Sequence, residues 1–247
     1  MSQQGSRSAW LQGPDSPCPK AVDAPARAYR MVLLGAPGVG KGTQAEFLCR
    51  DLKTCQLSTG DVFRAAKSLG EDKLSPAMKV ALGHMQRGEL VPDEIVVQMV
   101  RERLGCLNCE YGFLLDGFPR TVSQAESLEG MLAETGQKID AVLSYELPMD
   151  EVIARLSGRR TCRNCKTTFH VATKPPKVEG VCDKCGGELY TREDDRPESI
   201  RVRLEAYETS TAPLADYYTK KGILHRISAE GSPEQVYDRT KSILAAL

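Results

Sequence analysis

Net charge is absent from this chain: Lys plus Arg number 33 and Asp plus Glu number 33 across 247 residues. That balance gives a nucleic-acid polyanion no electrostatic reason to be the main partner. Long hydrophobic runs are missing as well, and none approaches the ~18 residues of a membrane span. The first thirty residues lack the apolar stretch of a secretory signal. Histidine is scarce, at three residues, and no Ser/His/Asp or Cys/His arrangement for nucleophilic catalysis stands out. His84 and His225 read as surface or core residues. No internal repeat is visible.

Residues 1–30 lack periodicity. They mix Ser, Gln, Pro, Gly and Ala and hold the chain's single tryptophan, Trp10. Such a composition cannot bury enough to order itself, so residues 1–30 are expected to be a disordered N-terminal extension. An organelle-targeting peptide is the other reading, but acidic Asp15 and Asp23 and the missing amphipathic pattern count against it. The folded unit is expected to open at Met31 and run to residue 247.

What the chain has is a strand–loop–helix phosphate signature. The apolar run Tyr29 to Leu34 precedes Gly35-Ala36-Pro37-Gly38-Val39-Gly40-Lys41-Gly42-Thr43, and a helix-compatible segment follows from Gln44. Glycines let successive backbone N–H groups converge on an anion, and the helix N-terminus adds a favourable dipole. Lys41 would reach the outer phosphates. Gly42 stands where most P-loops have Ser or Thr, and the hydroxyl arrives one residue later at Thr43.

Beyond the loop, helix patterns over 62–67, 75–86, 92–104, 121–133 and 149–157 alternate with strands over 111–115 and 141–147. A long helix over 197–220, a strand over 223–227 and a final helix over 234–247 complete the pass. The alternation predicts an α/β fold with a parallel sheet covered on both faces.

Of nine cysteines, four form a pattern. Cys162-x2-Cys165 and Cys182-x2-Cys185 are separated by sixteen residues, the ligand spacing of a four-thiolate zinc site. Disulfides are the alternative, which a reducing, cytoplasmic compartment disfavours. An insert of about 38 residues, 158–195, is too small for a core of its own. Metal binding would supply its folding energy, on the order of 10–16 kcal/mol apparent in small zinc modules. A closed four-thiolate site makes Zn2+ structural here, and leaves His170 outside the ligand set. Cobalt or iron would also suit four thiolates. Cys106-x2-Cys109 repeats the spacing without a partner pair and reads as core or turn; Cys18, Cys49 and Cys55 suggest no chemistry.

Arginines then cluster around these features: Arg64, Arg120, Arg155, Arg159, Arg160, Arg192, Arg201 and Arg203. Around a P-loop they would cage several phosphates, since guanidinium forks pair oxyanions bidentately.

On GAPGVGKGTQ (35–44), STGDVFR (58–64), GELVPD (88–93), DGFPRTVSQ (116–124), RLSGRR (155–160), Asp194-Asp195 and the helix holding Arg203, the chain resembles adenylate kinase from Met31 to its end. That family also has Gly after the lysine, and the four-cysteine insert is similar to the lid of its zinc-bearing bacterial branch. The resemblance implies a P-loop core with an AMP-binding insert at 58–88 and a lid at 158–195. ATP phosphates would rest on Gly38, Val39, Gly40, Lys41, Gly42 and Thr43, its adenine near Arg155 and the carbonyl of Pro233. AMP would be held by Thr59, Arg64, Glu89, Leu90, Val91, Gly117, Phe118, Pro119, Arg120 and Gln124. Lys41, Arg120, Arg159, Arg192 and Arg203 would carry catalysis, with Arg192 and Arg203 also touching AMP. Asp116 would hold Mg2+ through water. The implied activity is reversible phosphoryl transfer between ATP and AMP, giving ADP, by a cytoplasmic monomer with no nucleic-acid or membrane partner.

Gln124 adds an argument of its own, because a Gln amide can pair bidentately with the adenine edge. A kinase for UMP, CMP or GMP is one competitor. The other is a nucleotide-gated module whose cysteine ribbon contacts nucleic acid or protein. Its lysines (Lys166, Lys174, Lys177, Lys184) are offset by Glu179, Asp183, Glu188 and Glu193, with no aromatic–basic platform among them.

Overall fold

The structure, a computed structural model, describes residues 27–66, 74–86, 91–102 and 109–247. The expected extension, its residues 1–26, and Leu104 and Cys106 lie outside these.

Five parallel strands form the central sheet: β1 (Tyr29–Leu34), β2 (Cys55–Ser58), β3 (Gly112–Asp116), β4 (Ala141–Glu146) and β8 (Leu224–Ser228), in spatial order β2-β3-β1-β4-β8. The alternation of β1 explains the layering. Val32 and Leu34 join an apolar cluster with Leu57, Phe113, Leu115 and Tyr218 on one face. Met31 and Leu33 join Leu48, Leu114, Leu143, Tyr145 and Tyr237 on the other. Helices cover both faces, which is why these strands read as continuous apolar runs. They are α1 (Lys41–Leu52), α2 (Thr59–Ala66), α3 (Pro76–Gln86), α4 (Asp93–Arg101), α5 (Val122–Ala133), α6 (Met149–Ser157), α7 (Pro197–Ala206), α8 (Pro213–Lys220) and α9 (Pro233–Leu244).

The α/β reading holds, and three details differ from the expected elements. β2 is an edge strand where none was assigned; its four buried residues are too short to display a period. β1 spans Tyr29–Leu34 as the apolar run predicts, so ordered structure begins before Met31, where the folded unit was expected to open, and the Arg30 N–H donates to Asp140 at 2.7 Å. The single long helix over 197–220 is two. Pro213 has no N–H and would clash with the carbonyl four residues back, so the ladder cannot run through it. The chain widens into a π turn over Tyr207–Thr211, closed by Ala212 N–H on Tyr207 O at 2.8 Å.

The insert forms a second sheet, antiparallel, of β5 (Arg159–Cys162), β6 (Thr168–His170) and β7 (Leu189–Tyr190) in order β6-β5-β7. A 3₁₀ turn at Glu193–Asp195 returns the chain to α7.

Candidate active site

Register alone gathers the phosphate-facing loops. Asp116, the last residue of β3, lies beside Leu33 of β1 and Ser58 of β2. The turns that follow, Gly35–Gly40, Thr59 and Gly117–Arg120, therefore leave the sheet at one edge. β2 and β3 lie to one side of β1 and β4 to the other, so this is also where the strand order reverses, the usual ligand crevice of an open α/β sheet.

The P-loop is built for an anion. Gly38 and Gly40 take φ of +85° and +110°, and a Cβ on Gly38 would sit 2.6 Å from Leu156 Cγ. Gly40 is the N-cap of α1 and offers no side-chain acceptor, so the first N–H groups of a twelve-residue helix are left for a ligand. Lys41 Nζ donates to the carbonyls of Gly35 at 2.6 Å and Ala36 at 3.0 Å. Burial draws its ammonium down to about 8; Asp116 opposes this, while Arg120, Arg203 and Arg159 add to it. Four expected site residues from core and lid thus share one electrostatic neighbourhood with Lys41.

The lid arginines are organised by a carboxylate that sequence reasoning left without a role. Asp195, its side chain 0% exposed, takes a fork of two hydrogen bonds from Arg159, with Nε at 2.7 Å. Arg203 Nη1 also reaches it at 3.2 Å and bonds Asp194 O at 2.8 Å. Arg192 Nε donates to Thr161 Oγ1 at 2.9 Å. Arg155 bridges P-loop and β8 side, donating to Val39 O at 3.3 Å and Ala229 O at 2.9 Å. The carbonyl of Pro233 accepts from Gln44 Nε2 at 2.9 Å.

On the other side, Thr59 Oγ1 and Arg120 Nε both donate to Gly117 O, at 2.9 and 2.8 Å. Gly117 has φ +80°, and a Cβ there would meet Thr59 Oγ1 at 2.9 Å. The side chain of Phe118 packs into the core, leaving its backbone to the loop, and the Phe118–Pro119 peptide is cis. Val91 packs against the same core. Glu89, Leu90 and the side chain of Arg64 lie outside the described residues.

Gln124 is buried and already engaged. Its Nε2 donates to Asp93 Oδ1 at 2.6 Å and its Oε1 accepts from Arg120 N–H at 2.8 Å. A carboxylate only accepts and an N–H only donates, so these partners fix which way the amide faces. One N–H and one lone pair remain, the complement of the N1 acceptor and N6 donor of adenine. Asp93 also accepts from Thr121 Oγ1 at 2.6 Å, the N-cap of α5. No local signal marks Asp93 for this role; it precedes its partner by 31 residues.

The four cysteines converge. The Sγ atoms of Cys162, Cys165, Cys182 and Cys185 lie within 4.8 Å of one another, with Cys162–Cys185 and Cys165–Cys182 at 3.5 Å. Ligand bonds of ~2.3 Å to a tetrahedral ion would space sulfurs by about 3.8 Å. The two knuckles match: Lys166 N bonds Cys162 O and Gly186 N bonds Cys182 O. Lys166 and Gly186 take the same left-handed turn, φ +60° and +70°. Geometry and donor set alike suit this cluster to a metal ion. His170 stands apart from it; its Nδ1 accepts from Ala172 and Thr173 N–H at 3.1 Å.

The family profile described as adenylate kinase matches residues 33–223. The chain is 52% identical over 218 residues to an adenylate kinase of Caldicellulosiruptor bescii, covering 88% of this chain and 98% of that one. It is 51% identical over 215 residues to one of Thermodesulfovibrio yellowstonii, covering 87% and 98%. To one of Streptomyces avermitilis it is 51% identical over 216 residues, covering 87% and 96%.

Proposed function

This chain belongs to the adenylate kinase family, and from that premise we propose how its residues divide the work. The reaction is reversible transfer of the terminal phosphoryl group of ATP to AMP, giving two ADP. Phosphoryl transfer asks little covalent help of a protein and much positioning and charge neutralisation.

ATP lays its phosphates over Gly38 to Thr43, and Lys41 exchanges the carbonyls of Gly35 and Ala36 for phosphate oxygens. Its adenine lies between Arg155 and the Pro233 carbonyl. AMP sits across the crevice, its phosphate on Arg120, with Arg64 and Arg192 beside it and its base read by the free edge of the Gln124 amide. Thr59, Gly117 and the segment 89–91 frame that pocket. An oxygen of the AMP phosphate attacks the terminal phosphorus of ATP; the bridging P–O bond breaks and its electron pair leaves on the β-phosphate. Arg159 comes down with the lid and joins Arg203 of α7, the two held together on Asp195, at the transferring group. Closure of the 158–195 lid over the 58–88 insert excludes water that would otherwise take the phosphoryl group. Asp116 would hold the water of the Mg2+ that arrives with ATP, an ion that would supply further charge neutralisation.

Zn2+ is our assignment for the metal of the four-cysteine lid, where it is structural. We propose a cytoplasmic location, a reading that four unbridged cysteines suited to a reducing compartment support. We read it as a monomer. Among the described residues no helix is long and apolar enough to cross a membrane.

The observation that carries this reading is the convergence of Lys41, Asp116, Arg120, Arg159 and Arg203. ADP formation from MgATP with AMP, CMP, UMP or GMP tests it. Turnover with AMP alone is expected. Turnover with another monophosphate would overturn the role of Gln124, and turnover with none would overturn the catalytic assignments.

A further inference from the structure

Two cysteines that the reaction does not use lie against each other behind the active site. Cys55 Sγ is 2.9 Å from Cys109 Sγ, only about 0.9 Å beyond the ~2.05 Å of a disulfide bond. Both side chains are inside the protein, at 1% and 5% exposure. Their frame is fixed on both sides. Cys55 opens β2 and pairs in register with Phe113 of β3. The carbonyl of Cys109 accepts the Gly112 N–H at 2.9 Å, in the turn that leads into β3. The sequence reads Cys109 as a core or turn cysteine; in space its sulfur meets that of Cys55, 54 positions away, while Cys106 lies outside the described residues.

We propose that Cys55 and Cys109 form an oxidation site, in which a peroxide joins them as a disulfide tying β2 to the approach to β3. One thiolate attacks a peroxide oxygen, giving a sulfenic acid and water. The second thiol displaces that hydroxyl as a second water. Two thiols and hydrogen peroxide become one disulfide and two waters, with two electrons passing to the peroxide. The thiols of the lid take no part while a metal holds them.

The position sets the consequence. Cys55 is at the start of β2, whereas Thr59 follows its end; Cys109 precedes β3, whereas Gly117 follows it. The bond therefore forms at the edge of the sheet opposite the phosphate loops. It closes a long chain segment that spans the expected AMP-binding insert, and so restricts the unfolded state without touching the catalytic groups. Oxidation is expected to raise Tm by about 5–15 °C and to leave kcat within about twofold.

The test uses the full zinc-loaded chain, titrated with hydrogen peroxide, alkylated and digested without reduction. A Cys55–Cys109 peptide, loss of two thiols, a Tm rise reversed by dithiothreitol and retained zinc are the expected results. Cys106→Ala should oxidise as the parent does, and Cys55→Ala should lose the Tm rise. A Cys106–Cys109 peptide, a rise abolished in Cys106→Ala, or oxidation confined to the lid with zinc release would overturn the proposal. Should Cys55→Ala fail to fold, the peptide map and the Cys106→Ala variant still decide it.

Discussion

In the five-stranded sheet, Met31 and Leu33 enter one apolar cluster while Val32 and Leu34 enter another, and both are continuous across several strands and helices. In the three-stranded sheet of the lid, only Phe169 and Leu189 join Cys162 and Cys182 inside. The lid even carries apolar side chains outward, with Val171 at 52% and Val178 at 62% exposure. The core is held by burial and tolerates a long-range order of contacts. The lid is a pair of knuckles whose four sulfurs converge on one point, the site at which we propose that a metal holds it. The lid's small apolar cluster is separate from those of the core. What couples them is charge: Asp195, at the lid's return, holds Arg159 from the lid's first strand and Arg203 from α7.

Breaking that coupling should have the largest effect. Arg159→Ala is expected to lower kcat by about 10³-fold or more, the scale of a transition-state arginine, with KM for both nucleotides changed far less. Single-turnover kinetics would check it; a loss confined to KM would move Arg159 from the reaction to simple binding. Removing the metal tests the other half of the comparison. A chelator or Cys182→Ala should unfold residues 159–190 and, because Arg159 lies among them, cut turnover by about 10³-fold as well, through lost closure. The core's own melting transition should stay near its original temperature. Loss of the whole fold in one step would show that lid and core are a single cooperative unit.

Legibility follows the same division. The P-loop and the two Cys-x2-Cys knuckles are local, so spacing alone exposes them, and their sulfurs do meet. Pro213 lay in plain view, yet the helix pattern ran across it because apolar periodicity persists on both sides of the π turn. β2 is four residues long and carries no period of its own. The groups that orient the site, Asp93 for Gln124 and Asp195 for the arginines, find their partners across 31 and 36 positions. Nothing in their neighbourhoods in sequence announces that.

The core side of the site offers a smaller and more selective perturbation. Asp93→Ala leaves the Gln124 amide without the acceptor that sets its orientation, and should raise KM for AMP about tenfold, in line with a lost charge-assisted hydrogen bond. KM for ATP should stay put. Gln124→Ala should do the same more strongly. Asp93→Asn, which keeps the shape but admits a flipped amide, should narrow the preference for AMP over IMP. Equal losses for both substrates would instead mean that the Thr121 cap, which Asp93 also holds, had failed.

The smallest effect expected lies in pH. Burial lowers Lys41 to about 8 in the unliganded protein, and only its charged form binds phosphate. As pH rises through that value the free enzyme loses the cation, so kcat/KM for ATP should fall by about tenfold per unit above it. Bound phosphate favours the charged form again, so kcat should remain nearly flat over the same range. Lys41→Arg keeps its charge throughout and should remove the inflection while lowering the absolute rate. An inflection that survives in Lys41→Arg would belong to another group and would separate the titration from the P-loop. Lys41 faces arginines from both regions, so the same profile measured on metal-free protein sharpens the comparison. If the lid supplies part of the repulsion through Arg159, its unfolding should shift the inflection upward.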